Sequence, residues 1–174
     1  INAIRPGGFH GNNWSGTGTP REDYDPPLCW LHPTVDRSPS AQLRVPDGVW
    51  GALGGKLLGL SYGTGDVYLL LEDEVDGVAQ GAFVPLPISF PTGLMSGRFG
   101  PDGHLYVCGL FGWSSDKTDP GGFYRVRQVR AMSAVPIGYK PRAGRLEFEF
   151  AAPLDLESAQ DPANWQLEAW NYEW

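Results

Sequence analysis

Three groups of side chains in this sequence have types and spacings suited to chemistry. His10 sits in "GGFHGNNW" (residues 7–14), a Gly/Asn loop with Asn12, Asn13 and Trp14. An imidazole titrates near neutrality, so on a loop it can take a proton from an alcohol or hydrate. His10 is therefore the candidate catalytic base, with a plain surface histidine as the competing reading. Arg98 lies in "SGRFG" (96–100), and Arg125 and Arg127 alternate with Val126 in "FYRVR" (123–127). Guanidinium groups hold anions through charge-assisted, bidentate hydrogen bonds, so Arg98 and Arg125 are the candidate ligand- or cofactor-binding residues. If 123–129 is a strand, Arg125 and Arg127 share a face. Solvated strand cations would look the same in sequence. Cys29-x-x-His32 has a zinc-like spacing but is half a site, because tetrahedral zinc needs two more ligands. Packing explains it better, and no metal is expected. The acidic turns "EDEVDG" (72–77) and "DKTDPGG" (116–122) lack the alternating ligands and distal Glu of a calcium loop.

Composition narrows the class of protein that carries these groups. The 174 residues include 24 Gly and 16 Pro, yet 13% are aromatic and 41% hydrophobic. Disordered chains do not carry that much apolar side chain, so the pattern predicts many short strands joined by tight turns. A net charge of −7 opposes binding to nucleic acid, whose phosphates attract basic surfaces. No apolar run approaches the roughly 20 residues that span a bilayer. Cys29 and Cys108 permit one disulfide, although both sit among apolar residues where a free thiol packs as a small hydrophobe. Asn13-Trp14-Ser15 is formally a glycosylation sequon, a match short enough to arise by chance. The chain opens on Ile1 and closes on Trp174 within a strand-like run, and it is expected to be a segment of a longer protein.

The elements that must position the candidate residues follow from the turns. Strands are expected over 56–63, 66–73, 78–87, 93–99, 104–110 and 123–129. Between 93–99 and 104–110 stands Gly100-Pro101-Asp102-Gly103. Pro presets φ at the second position of a turn and Gly tolerates positive φ, so the flanking runs should pair as an antiparallel hairpin. "GGFYRVR" then returns as a third strand, and three such strands make much of one β-propeller blade. Residues 50–87 look like the preceding blade, and residues 1–50 read as loops. After Ala134, Pro136 and Pro141 are read as bracketing a linker. "RLEFEF" (145–150) alternates as a half-buried strand does, a helical turn is expected at Leu156–Gln160, and a further strand after it. Phe148, Phe150, Leu154, Trp165 and Leu167 are expected to form a small apolar cluster.

Taken together, "YDPPLCWLHP", "VWGALGGKLLGLSYG", "VDGVAQGAFVPLP", "GLMSGRFGPDGHLYVCGLFGW", "GGFYRVR" and "PLDLESAQDPANWQLEAWNYEW" resemble one family. They are similar to the C-terminal propeller region of large exported bacterial proteins related to glucose/sorbosone dehydrogenases. The resemblance implies an all-β chain: a partial β-propeller of about two blades (1–134), followed by the start of an Ig-like β-sandwich (135–174). It implies a periplasmic or extracellular protein that oxidises a sugar or aldehyde with pyrroloquinoline quinone (PQQ). Electrons would pass to a cytochrome c domain elsewhere in the parent chain. The His10 loop resembles the Gly-aromatic-Gly segments at propeller mouths but departs from the family's catalytic histidine motif. The earlier blades, which carry that histidine, are not in this sequence, so this segment alone is expected to be inactive. It also has no Cys-x-x-Cys-His for covalent haem. A propeller that binds carbohydrate or protein without catalysis is the alternative.

Overall fold

A computed structural model describes residues 1–11, 24–112, 115–130 and 134–169. They form nine strands in three antiparallel sheets. The first sheet is a meander of β1 (Pro39–Arg44), β2 (Leu57–Ser61), β3 (Asp66–Val75) and β4 (Val78–Ser89). The second is a meander of β5 (Gly93–Phe99), β6 (Leu105–Leu110) and β7 (Gly121–Val126). A hairpin of β8 (Pro136–Arg142) and β9 (Arg145–Phe150) forms the third, followed by a short helix α1 (Leu156–Gln160). The chain is thus mostly β, as its composition predicts.

The turns act as their residue types require. Asp76 and Gly77 both have positive φ, +52° and +80°, and join Val75 to Val78 as a two-residue hairpin turn whose twist matches its strands. At Pro101-Asp102-Gly103 the chain reverses with Gly103 at φ +72°, and the Gly100 N–H donates to the His104 carbonyl at 2.8 Å. The three consecutive antiparallel strands expected over 93–129 therefore form, although β7 ends at Val126 rather than 129.

β2 and the first half of β3 are covered on both faces, which is why "LLGLS" and "VYLLL" read as continuous apolar runs. On one side Leu58, Leu60, Val67, Leu69 and Leu71 pack with Leu94, Leu105 and Val107 of the second sheet. On the other, Tyr68 and Leu70 pack against Cys29, with Ile1, Leu31 and Phe83 around them. The N-terminal segment is tied down at that face, for the Ile1 ammonium donates to the Cys29 carbonyl at 3.0 Å. Cys29 is buried, Cys108 is exposed, and both are free thiols.

Three expectations are corrected. Residues 39–44, read as loop, are strand β1, whose polar sequence hides an inward pair, Ala41 and Leu43. Pro136–Pro141, read as a linker, belongs to strand β8. Proline is tolerated there because β8 is an edge strand. Pro141 also pairs with Leu146 one step from the closing pair Arg142–Arg145, where an antiparallel ladder needs no amide. The expected C-terminal cluster does not form: Phe148, Trp165 and Leu167 are exposed, Leu167 by 83%. Residues 165–169 are not strand, and the Trp165 indole N–H instead donates to the Ala159 carbonyl at 2.8 Å. Val135, Ile137 and Tyr139 pack the hairpin against the main core, and Arg142 pairs with Asp73 of β3 at 2.9 Å. The remainder of the expected last strand, like the Asn13 sequon, lies outside the described residues.

One buried carboxyl has a consequence for stability. Asp36 is 3% exposed and accepts hydrogen bonds from Ser61 Oγ at 2.5 Å and the Ser38 amide at 3.3 Å. Burial pushes its pKa up, the Ser61 and backbone hydrogen bonds oppose this, and the Asp66 charge adds to the rise. A folded-state pKa above the unfolded value means the native state binds the extra proton. The stability this contributes is complete below the ordinary aspartate range and is lost as pH rises through the raised value. Asp36→Asn should remove that decline, which for one proton is at most about 1.4 kcal/mol per pH unit. Urea unfolding of both proteins between about pH 4 and 7 checks it, and parallel curves would exclude Asp36 as the cause.

Candidate functional site

The second sheet brings two of the sequence-predicted residues together. Its register pairs Arg98 with Tyr106 and Tyr106 with Arg125, so the three form one row across β5, β6 and β7. The next row, Phe99–Leu105–Val126, points the opposite way into the core. Arg98 and Arg125 are consequently on the outer, exposed face, two strand spacings or about 10 Å apart.

Tyr106 between them is held by its neighbours. Its hydroxyl donates to Asp102 Oδ2 at 2.8 Å, while Asp102 Oδ1 accepts the His104 amide at 3.2 Å. The β5–β6 turn thus locks the ring as well as reversing the chain. The Tyr106 bond and then the His104 amide hold Asp102 below the usual carboxylate range. The same bond to Asp102 raises the Tyr106 phenol, opposed by Arg125 beside it. Phe123, 73% exposed, stacks on Tyr106 with centroids 5.8 Å apart and planes at 24°. Among the described residues no carboxylate pairs with Arg98 or Arg125, although Arg5, Arg37, Arg44, Arg142 and Arg145 all have acidic partners. The arrangement is two guanidinium groups flanking an aromatic stack, Arg125 in hydrogen-bonding contact with Tyr106, which can bind a planar anion through both charge and face contact.

The other candidates lie elsewhere. His10 lines a separate cavity of about 100 Å3 with Arg5, Asp25 and Gly77, beside the β3–β4 turn. Both its ring nitrogens are buried without a hydrogen-bond partner among the described residues. Asp25 Oδ2 accepts the Phe9 amide at 3.1 Å. Arg127 does not extend the Arg125 row, because β7 ends at Val126. It lines a cavity with Trp50 and Arg130 instead. Cys29 has a thiol pushed up by burial, and His32 Nδ1 contacts Thr34 Oγ1 at 2.7 Å. Among the described residues no group of three His, Cys, Asp or Glu could hold a metal. The acidic turns supply structural pairs, Asp73 with Arg142 and Asp116 with Arg37.

Tyr106, Asp102 and Phe123 were not singled out from sequence. Counting outward in twos from the Pro-Asp-Gly turn would have put Tyr106 opposite Arg98, but the pairing with β7 requires the register itself. No family model, curated protein or solved structure matches this chain. Among the described residues no helix is long and apolar enough to cross a membrane.

Proposed function

We propose that this chain is a two-blade wall of a larger β-propeller oxidoreductase, and that its Arg98–Tyr106–Arg125 row helps hold an anionic quinone cofactor. The observation that carries this reading is the pair of guanidinium groups, without carboxylate partners among the described residues, on one exposed sheet face. The packing supports the propeller half of it. β5, first strand of its meander, lies against β1 and β2 of the preceding one, as the inner strands of adjacent blades do.

The residues present suit such a cofactor. Arg98 and Arg125 would hold its carboxylates, and Tyr106 and Phe123 would offer ring faces to its plane. PQQ, when bound, supplies a two-electron acceptor for oxidation of a sugar or aldehyde, with electrons passing to a cytochrome domain. This chain's own part is to bind and orient, and His10 lines a cavity separate from the row. A periplasmic or extracellular setting accompanies this reading. The β8–β9 hairpin and α1 would begin an Ig-like segment over 135–174. Exposed Phe123, stacked on half-buried Tyr106, also suits a sugar ring, which favours a carbohydrate-binding propeller as the second reading.

The test uses the full-length protein that carries this chain. Arg98→Ala with Arg125→Ala should weaken PQQ binding by about a hundredfold, tenfold for each guanidinium–carboxylate pair removed. Circular dichroism should be unchanged, since both side chains are exposed. If the intact protein binds no PQQ but retains an oligosaccharide that the double variant loses, the carbohydrate reading replaces this one. Equal PQQ affinity in both proteins would remove the row from cofactor binding.

A further inference from the structure

A second cavity, sharing no residue with the Arg98 row, lies where β4, the end of β7 and the start of β8 converge. It encloses about 520 Å3, within the range of small-molecule sites. Trp50, Ile88, Val126 and Val135 give it an apolar wall, and among the described residues that line it Arg127 and Arg130 are the side-chain cations. Both arginines are exposed, and among the described residues neither pairs with a carboxylate.

Trp50 is unusual in its backbone as well as its position. It adopts left-handed dihedrals, φ 57° and ψ 32°, which a bulky L residue avoids unless its surroundings impose them. The indole is fixed edge-on against Phe99 at 5.2 Å. A preset aromatic wall beside two cations without acidic partners selects for an apolar body carrying one negative group. A strongly hydrated polyanion would gain little from the wall, and a neutral apolar molecule would leave both guanidinium groups unused.

From this geometry we propose that the cavity binds a small amphipathic carboxylate. Its apolar body lies against Trp50, Ile88, Val126 and Val135, and its carboxylate is held by Arg127 and Arg130. The cavity would serve this way whether or not the chain is part of a propeller oxidoreductase.

Calorimetric titration of the full chain with 3-phenylpropanoate and with its neutral amide tests the proposal directly. The acid should bind at least about tenfold more tightly than the amide, the worth of one charge-assisted hydrogen bond. Arg127→Gln with Arg130→Gln should weaken the acid by about tenfold or more and leave the amide unchanged. Arg44→Gln with Arg145→Gln removes the same charge from exposed positions elsewhere and should change neither. Equal affinity for acid and amide, no measurable binding of the acid, or equal losses in the two double variants would each overturn the proposal. The acid-to-amide comparison needs no variant, so it stands even if one folds poorly.

Discussion

Gly59→Ala should destabilise the chain by about 3 kcal/mol, the upper part of the range for overpacking a core. Gly59 of β2 pairs with Tyr68 of β3. A Cβ at position 59 would lie 2.0 Å from Tyr68 Cε2 and 2.2 Å from Cζ. The ring cannot swing clear. Tyr68 is fully buried, its centroid is 4.2 Å from that of Phe83, and Cys29 and Leu70 share its cluster. Relief would require β2 and β3 to separate or the N-terminal segment to lift from the sheet. Against a typical domain stability of about 5–15 kcal/mol, that loss is large enough to move the urea midpoint clearly. In a Tyr68→Ala background the same change should cost much less, because the obstructing ring is gone. Equal costs in both backgrounds would show that the ring is not what position 59 must accommodate.

Features written in consecutive residues were legible in sequence, and those written in register or proline placement were not. Pro101-Asp102-Gly103 and Asp76-Gly77 announce their turns because positive φ and a fixed proline φ are properties of single residues. The helix at Leu156–Gln160 was legible for the same reason, with Asp155 accepting the Ser158 amide at its start. β1 was missed because "PSAQLR" turns only Ala41 and Leu43 inward, too few apolar residues to mark a period of two. β8 was missed because proline was read as a break, although an edge strand can leave that amide unpaired. Arg98 and Arg125 were singled out separately for their charge. Their shared face depends on two strand pairings, with Tyr106 as the common partner. The apolar cluster at the C-terminus failed in the opposite way. "RLEFEF" has the alternation of a half-buried strand, but periodicity names a face and not what covers it, and Phe148 remains exposed.

How deeply β5 seats against the first sheet fixes the height of the Arg98 row, and Leu60 and Gly97 control that seating. Leu60 is fully buried in the core between the two sheets, and a Cβ at Gly97 would lie 3.1 Å from its Cδ1 and 3.0 Å from Val107 Cγ1. Leucine on one strand thus fills the space that glycine leaves on the other. Leu60→Ala should cost about 3 kcal/mol, within the range for buried leucine truncation, because the surrounding strands cannot fully collapse into the gap. Gly97→Ala alone should cost about 1 kcal/mol from crowding. Combined, the two should cost less than their sum by about 1 kcal/mol, because the added methyl enters the space vacated by the leucine. Denaturant unfolding of the four proteins measures this coupling, and strict additivity would mean that the sheets do not meet at this point. The functional consequence follows from chain connectivity. Arg98 is the residue after Gly97, so a shift of β5 displaces its guanidinium relative to Arg125, whose strand is held through β6. Leu60→Ala should therefore weaken anion binding at the row without touching it, and Gly97→Ala in the same chain should restore part of that binding along with part of the stability.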